Sequence, residues 1–175
     1  MLRLENQNEA IVLQIVGYQF PEVSEDYDAN WLNISFEIRT PEFQWQICNP
    51  CLLTWDVLRL VSWLRKAVTR DDLSFKEFTG MENDFSIRYT TKSDAQCELR
   101  ITLQHGCIPL DILNREDTDT KLHLSFKLTN KELKRLADST ENAITSFPPR
   151  GKLGQRWLQQ LQAAENGNDK PAQKV

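Results

Sequence analysis

The sequence is poor in the residues from which many active sites are built. It has two histidines and six glycines among 175 residues. A catalytic or metal centre based on His105 and His123 would be poorly supplied, because imidazole is the usual acid–base group near neutral pH. No glycine-rich phosphate loop, GxSxG turn or HExxH helix occurs. We therefore expect no enzymatic activity, no metal and no cofactor.

Basic residues and long apolar runs are also scarce. Lys and Arg number 21 against 25 Asp and Glu, giving a net charge of −4. Proteins that bind phosphates usually present a basic surface, so we expect no direct contact with nucleic acid. No apolar run is long enough to span a membrane, and residues 1–16 lack the apolar core of a secretory signal. These features predict a cytoplasmic protein whose partner is another protein, not a membrane or a small-molecule substrate.

Only four cysteines are present, at positions 48, 51, 97 and 107. They are too few for a secreted disulfide scaffold of this length, so we expect thiols. The Cys48-x-x-Cys51 spacing is the one motif that could support redox or metal chemistry. A zinc site would need two further ligands that the sequence does not supply in a second such motif. A thiol- or zinc-binding protein centred on Cys48 and Cys51 remains the alternative to a binding domain.

Apolar and polar residues alternate in runs that predict β-strands, most clearly at 31–39, 43–47, 85–89, 97–103 and 122–128. Residues 10–20 are apolar in both phases, which predicts a strand covered on both faces. Two amphipathic helices are predicted at 54–68 and 130–146. The fold class is therefore α+β, a mainly antiparallel β-sheet or two sheets packed as a sandwich, covered by these helices. We expect one α+β domain over residues 1–147, then a C-terminal helix and disordered tail over 148–175.

The helix at 54–68 carries specific signals. Pro50 predicts a turn before it, and the Thr54 hydroxyl is a suitable N-cap acceptor. Trp55 falls nearly opposite the apolar stripe, so the helix does not need this indole to pack on a sheet. At the second helix, Thr129 and Glu132 have capping-box spacing. A short third helix is predicted around residues 153–161.

Two stretches suggest binding surfaces. Residues 21–30, here called the acidic loop, contain four carboxylates and no basic residue. Residues 105–120 are a second acidic connection. Aromatic side chains beside charge are typical of interface centres. The partner-binding residues predicted from this pattern are Glu22, Glu25, Asp26, Tyr27, Asp28, Trp31, Trp55, Asp117 and Asp119. The alternative is that the indoles are covered by other segments and the carboxylates are only solvated.

Several short motifs in the first 70 residues resemble those of the WapI-like bacterial immunity proteins. They are Gly17-Tyr18-Gln19-Phe20-Pro21, Tyr27-Asp28-Ala29-Asn30-Trp31-Leu32, Thr40-Pro41, and Pro50-Cys51-Leu52-Leu53-Thr54 before a helix that ends in Ser62-Trp63-Leu64. The strands up to about Phe147 agree with the family in length and rhythm only. The tail beyond has no counterpart.

The resemblance implies an antitoxin used in bacterial competition and contact-dependent inhibition. Such a toxin inhibitor is encoded beside a polymorphic toxin that typically cleaves RNA. It acts through a protein–protein interaction with the C-terminal domain of its cognate toxin and has no enzymatic activity. The resemblance gives no toxin-contacting positions. A structural or interaction domain with a non-toxin partner is a third alternative.

Overall fold

The chain folds into two successive halves of the same design, as seen in a computed structural model that describes residues 1–69, 76–109 and 120–165. The first half is an antiparallel meander of β1 (Leu2–Glu5), β2 (Ala10–Tyr18), β3 (Trp31–Arg39) and β4 (Gln44–Leu53). Helix α1 (Thr54–Thr69) starts at the residue after β4. Each strand pairs antiparallel with its neighbour in sequence, as consecutive strands most often do.

The second half repeats this order. It contains β5 (Glu77–Thr79), β6 (Phe85–Thr91), β7 (Gln96–Gln104) and β8 (Lys121–Thr129), again an antiparallel meander. Helix α2 (Asn130–Thr145) follows β8 directly and has 16 residues, as α1 has. A third helix, α3 (Gly151–Glu165), completes the described chain. The prediction of an α+β fold with antiparallel sheets and two packing helices is confirmed, and the sheet divides into two.

The core lies between the inner faces of the two sheets and is closed by α1 and α2. Phe36 of β3 meets Phe85 of β6 edge to face, with ring centroids 6.1 Å apart. Every second residue of these strands points into the core and is almost fully buried. These residues include Ile11, Leu13, Ile34, Ile38, Ile87, Leu99, Ile101, Leu103, Leu124 and Phe126. Arg65 joins the two helices by ion pairs to Asp138 and Glu141.

The prediction that residues 10–20 form a strand covered on both faces is wrong. Strand β2 ends at Tyr18, and only the phase containing Ile11 and Leu13 is fully buried. The opposite phase faces outward, where Val16 is 55% exposed. A single valine on an open sheet face needs no covering layer, because much of any folded surface is apolar.

The predicted turn at Pro50 is also wrong, because β4 continues through Asn49 and Pro50 to Leu53. The register between β3 and β4 shifts there, between Leu32 and Ile34. Proline has no N–H for a ladder and is tolerated on outer strands and at bulges. Strand β4 is the last strand in the order of its sheet. The chain therefore enters α1 straight from a strand.

Helix α3 confirms the short third helix predicted around residues 153–161. Residues 166–175, expected to form a disordered tail, lie outside the described residues. The division into a domain of residues 1–147 and a tail of 148–175 stays a prediction. None of the helices described in residues 1–69, 76–109 and 120–165 has the length and apolarity that crossing a membrane requires.

Candidate functional site

The acidic loop ends in a buried polar junction at the start of α1. Asn30 closes a 3₁₀ turn, Tyr27–Asn30, and is fully buried. Its Oδ1 accepts a hydrogen bond of 3.0 Å from the Thr54 hydroxyl and another of 2.7 Å from the Arg150 backbone N–H. Thr54 is thus the first residue of α1 and a donor to the loop, so its predicted role as N-cap acceptor is wrong.

The carboxylate of Asp56 caps α1 instead. It is fully buried and accepts from the backbone N–H groups of Leu53 at 3.1 Å and Met81 at 3.4 Å. Its other oxygen, Oδ1, accepts a hydrogen bond of 2.9 Å from Nη1 of Arg59. Burial raises the pKa of the Asp56 carboxyl, while the hydrogen bonds and the charge of Arg59 oppose the shift. This one side chain ties the helix start to the turn between β5 and β6.

Above this junction lies an aromatic stack, here defined as Tyr27, Trp55 and Trp157. The indoles of Trp55 and Trp157 are stacked with centroids 5.8 Å apart and planes 13° from parallel. Tyr27 meets Trp55 edge to face at 5.3 Å and meets Trp31 at 6.4 Å. Offset stacks and edge contacts are the favourable geometries for aromatic rings. The stack joins α1, α3 and the acidic loop.

Trp55 is not available as a surface contact. It is 1% exposed, because Trp157 of α3 covers it, and its Nε1 has no hydrogen-bond partner among the described residues. The sequence placed this indole correctly off the apolar stripe, but a later helix covers it. Trp31 is half-buried, and Tyr27 is 40% exposed. Tyr27 is therefore the ring of this group that a partner can reach most directly.

The four carboxylates of the acidic loop all lie on the surface. Glu22, Glu25, Asp26 and Asp28 are exposed, and none makes an ion pair with another described residue. Burial and the charges of Asp56, Glu82 and Asp28 raise the pKa of the Tyr27 hydroxyl. The exposed ring of Tyr27 thus lies in a negative potential, which is complementary to cationic groups.

One turn that lies beside the acidic loop was not predicted from the sequence to be part of this site. Met81 and Glu82 follow β5 and are exposed, with Met81 49% accessible. The Met81 N–H bonds to Asp56, and the Glu82 charge acts on Tyr27, so this turn reaches the same end of α1 as the acidic loop. Its only sequence signal was a turn between two predicted strands, which does not say where the turn packs.

Most of the second acidic stretch lies outside the described residues. Asp117 and Asp119, predicted as partner-binding residues, lie outside the described residues. The chain is described up to residue 109, just after a 3₁₀ turn at His105–Cys107, and again from residue 120. Their role in binding stays a prediction.

The two cysteines of the CxxC motif do not form a pair. Cys48 is exposed, with its side chain in the outer phase opposite Ser35, whereas Cys51 is buried within the register shift. Cys51 lies beside Cys107 from the second half, and a hydrogen bond with that thiol, together with burial, raises the pKa of Cys51. A raised pKa makes a thiol less reactive. Among the described residues, no group of three potential metal ligands is close enough to hold an ion.

Truncation of Trp157 tests how α3 is held. We expect Trp157→Ala to loosen α3 from the rest of the fold, because the stack with Trp55 provides its largest aromatic contact. Trypsin should then cleave after Lys152 and Arg156, two exposed residues of α3, at least several times faster. Gln159→Ala, at an exposed position of the same helix, is the control. Equal cleavage rates in both variants would show that the stack does not hold α3.

Comparison with known proteins adds one finding. The sequence model of the immunity protein WapI-like family matches residues 1–148. The match includes both sheets, α1 and α2, and ends before α3. No curated protein and no solved structure matches the chain.

Proposed function

Because the chain belongs to the immunity protein WapI-like family, with an immunity-type function and a protein toxin as its partner, we propose that it neutralises its cognate toxin by stoichiometric occlusion. In this proposal it acts in the cytoplasm and without catalysis. The observation that carries it is the exposed acidic loop, whose four carboxylates lack ion pairs with described residues and which also carries the accessible ring of Tyr27.

The proposed toxin is an RNase-type domain at the C-terminus of a larger protein. A nuclease presents a basic groove to the phosphates of its substrate, and an acidic surface is complementary to such a groove. The same charge disfavours direct binding of this chain to nucleic acid. We therefore infer that the acidic loop faces the basic surface of the toxin.

Charge and apolar contact would contribute to different rate constants. Exposed carboxylates steer the encounter and speed association, whereas desolvated aromatic contacts slow dissociation. Glu22, Glu25, Asp26 and Asp28 have the first role in our proposal. Tyr27 and the half-buried Trp31 have the second. A specific complex of this kind buries about 1,600 Å² in total, so contacts outside the loop are also needed.

The proposal is tested by removing loop charge. We expect the triple variant Glu25→Ser, Asp26→Ser, Asp28→Ser to associate about tenfold more slowly with the toxin domain at low salt, since electrostatic steering changes rates by factors of this order or more. Its association rate should also depend less on salt. Surface plasmon resonance with the catalytically inactivated C-terminal domain of the toxin encoded beside this chain would measure both.

The matched control removes three exposed carboxylates elsewhere. Glu37 lies on the outer face of β3, Glu42 lies in the turn before β4, and Glu141 gives up only a surface ion pair with Arg65. The Ser variant of these three has the same net charge as the loop variant. Equal rates for the two triple variants would remove the acidic loop as the binding site and leave the family membership intact.

A further inference from the structure

The segment that follows the family match holds the acidic loop in its observed shape. Arg150 lies just beyond residue 148, where the match ends. One guanidinium nitrogen, Nη1, donates to the carbonyl oxygens of Phe20 at 3.1 Å, Pro21 at 3.2 Å and Val23 at 2.7 Å. The guanidinium carbon lies 3.4 Å from the ring centroid of Tyr18, a cation–π contact. The side chain of Arg150 therefore holds the first part of the loop by binding the loop's backbone carbonyls.

The backbone of residue 150 holds the other end of the loop. Its N–H donates to Asn30 Oδ1 at 2.7 Å, and its carbonyl accepts from Asn30 Nδ2 at 3.2 Å. This reciprocal pair is buried on the Asn30 side. The loop is thus held at residues 20–23 and again at residue 30 by the same amino acid.

The middle of the loop rests on the next residue. Gly151 has a φ of +66°, a conformation that side chains rarely adopt. A Cβ at this position would lie 2.8 Å from the carbonyl oxygen of Glu25. Glycine is needed here for both reasons, and its contact with Glu25 keeps the loop backbone close to the start of α3.

The loop has little order of its own. Apart from the 3₁₀ turn Tyr27–Asn30 and the bond from the Trp31 N–H to the Asp28 carbonyl that closes it, the loop's described backbone hydrogen bonds are Val23 N–H to the Phe20 carbonyl and Ala29 N–H to the Asp26 carbonyl, both 3.2 Å. Residues 21–26 lie outside the strands and the 3₁₀ turn. A binding loop without supporting contacts loses conformational entropy when it is ordered by a partner. The contacts from Arg150 and Gly151 restrict the loop before any partner arrives.

We propose that Arg150 is a positioning residue for toxin binding, which presents the acidic loop in its binding conformation. This inference rests on the proposed function. Removal of Arg150 leaves the four carboxylates in place, so it should not slow electrostatically steered association and should weaken the complex through faster dissociation. Charge removal in the loop acts on association. The two kinds of variant are therefore distinguishable by their rate constants.

The first measurement needs only the free protein. Arg150→Met keeps much of the side chain's length and apolar stem but removes the donors to the three carbonyls. We expect hydrogen–deuterium exchange at the amides of residues 22–30 to become at least tenfold faster, while amides in β3 and α2 keep their protection. Arg156→Met, at an exposed position on α3, removes the same charge and is the matched control.

The second measurement uses the inactivated toxin domain described above. We expect Arg150→Met to dissociate at least tenfold faster than Arg156→Met, which loses the same charge, while the two associate with a similar salt dependence. Arg150→Lys keeps the charge but lacks the planar guanidinium that stacks on Tyr18, so it should fall between wild type and Arg150→Met. Arg150→Lys also provides the test if Arg150→Met does not fold.

Two results would overturn the inference. Wild-type exchange rates at residues 22–30 in both Arg150 variants would show that Arg150 does not order the loop. Wild-type dissociation in both, alongside slow association of the Glu25, Asp26, Asp28 variant, would show that the loop binds but needs no positioning by Arg150. Failure of the proposed site gives a different pattern, in which the triple loop variant also binds as wild type does.

Discussion

Replacement of Phe85 by alanine is expected to lower the free energy of unfolding by about 3–5 kcal/mol, the usual cost of truncating a buried phenylalanine. Phe85 is fully buried and touches Phe36 of the first sheet at 6.1 Å and Phe78 of its own sheet at 6.4 Å between centroids. The cavity would open where the two halves meet, so little of it can be closed by local movement. Urea denaturation followed by circular dichroism measures the loss.

Phe43→Ala is the control for this expectation. Phe43 lies in the turn before β4 and is 46% exposed, so its truncation should change the free energy of unfolding by about 0.5 kcal/mol or less. Similar losses for the two phenylalanines would mean that the interface between the sheets is not the main core.

Replacement of Asp56 by alanine is expected to lower the free energy of unfolding by about 3 kcal/mol, since each buried polar group left without a partner costs roughly 1–3 kcal/mol. The change removes the acceptor from the Leu53 and Met81 N–H groups. Glu132 stands at the same position of α2, three residues after the N-cap, and its carboxylate accepts from the Thr129 N–H at 2.7 Å. Because Glu132 is exposed, Glu132→Ala should cost only about 1 kcal/mol, the typical value of a cap. Equal losses of unfolding free energy in Asp56→Ala and Glu132→Ala would show that the burial of Asp56 does not set the size of its effect.

Asp56 also gives the protein a pH dependence. Burial raises the pKa of the Asp56 carboxyl above its ordinary value of 3.8, so the folded chain holds this proton more tightly than the unfolded chain does. The contribution of Asp56 to stability therefore falls as pH rises from 3.8 through the raised pKa and is constant above it. Asp56→Asn does not titrate. The stability of wild type relative to Asp56→Asn should decrease across this pH range and then stay level.

The alternation of apolar residues predicted most of the strands, because each sheet has one face in the core and one in water. The capping box at Thr129 and Glu132 was also predicted correctly, since it depends only on residues three apart. Pro50 misled because a proline at that point suggested a turn, whereas β4 continues through it with a shift in its pairing to β3. Local patterns predicted local structure.

The candidate site was less predictable, because it depends on contacts between distant segments. The periodicity of α1 shows which of its faces meets the sheets, but not that Trp157, about 100 residues later, covers Trp55 on the other side. Similarly, nothing near Arg150 in the sequence indicates that its partners are the carbonyls of residues 20–23. The acidic composition of the loop was visible in the sequence, whereas the contacts that hold the loop in place were not.

The meander order of both sheets has a consequence for how fast the chain folds. Every strand pairing within a sheet joins neighbours in sequence, so little loop entropy is lost in forming each pair. Local pairings of this kind favour rapid folding, whereas the contacts between the two sheets, which join distant segments of the chain, slow it. The first meander and α1 are moreover complete by residue 69, so they can form while the second half is still being synthesised.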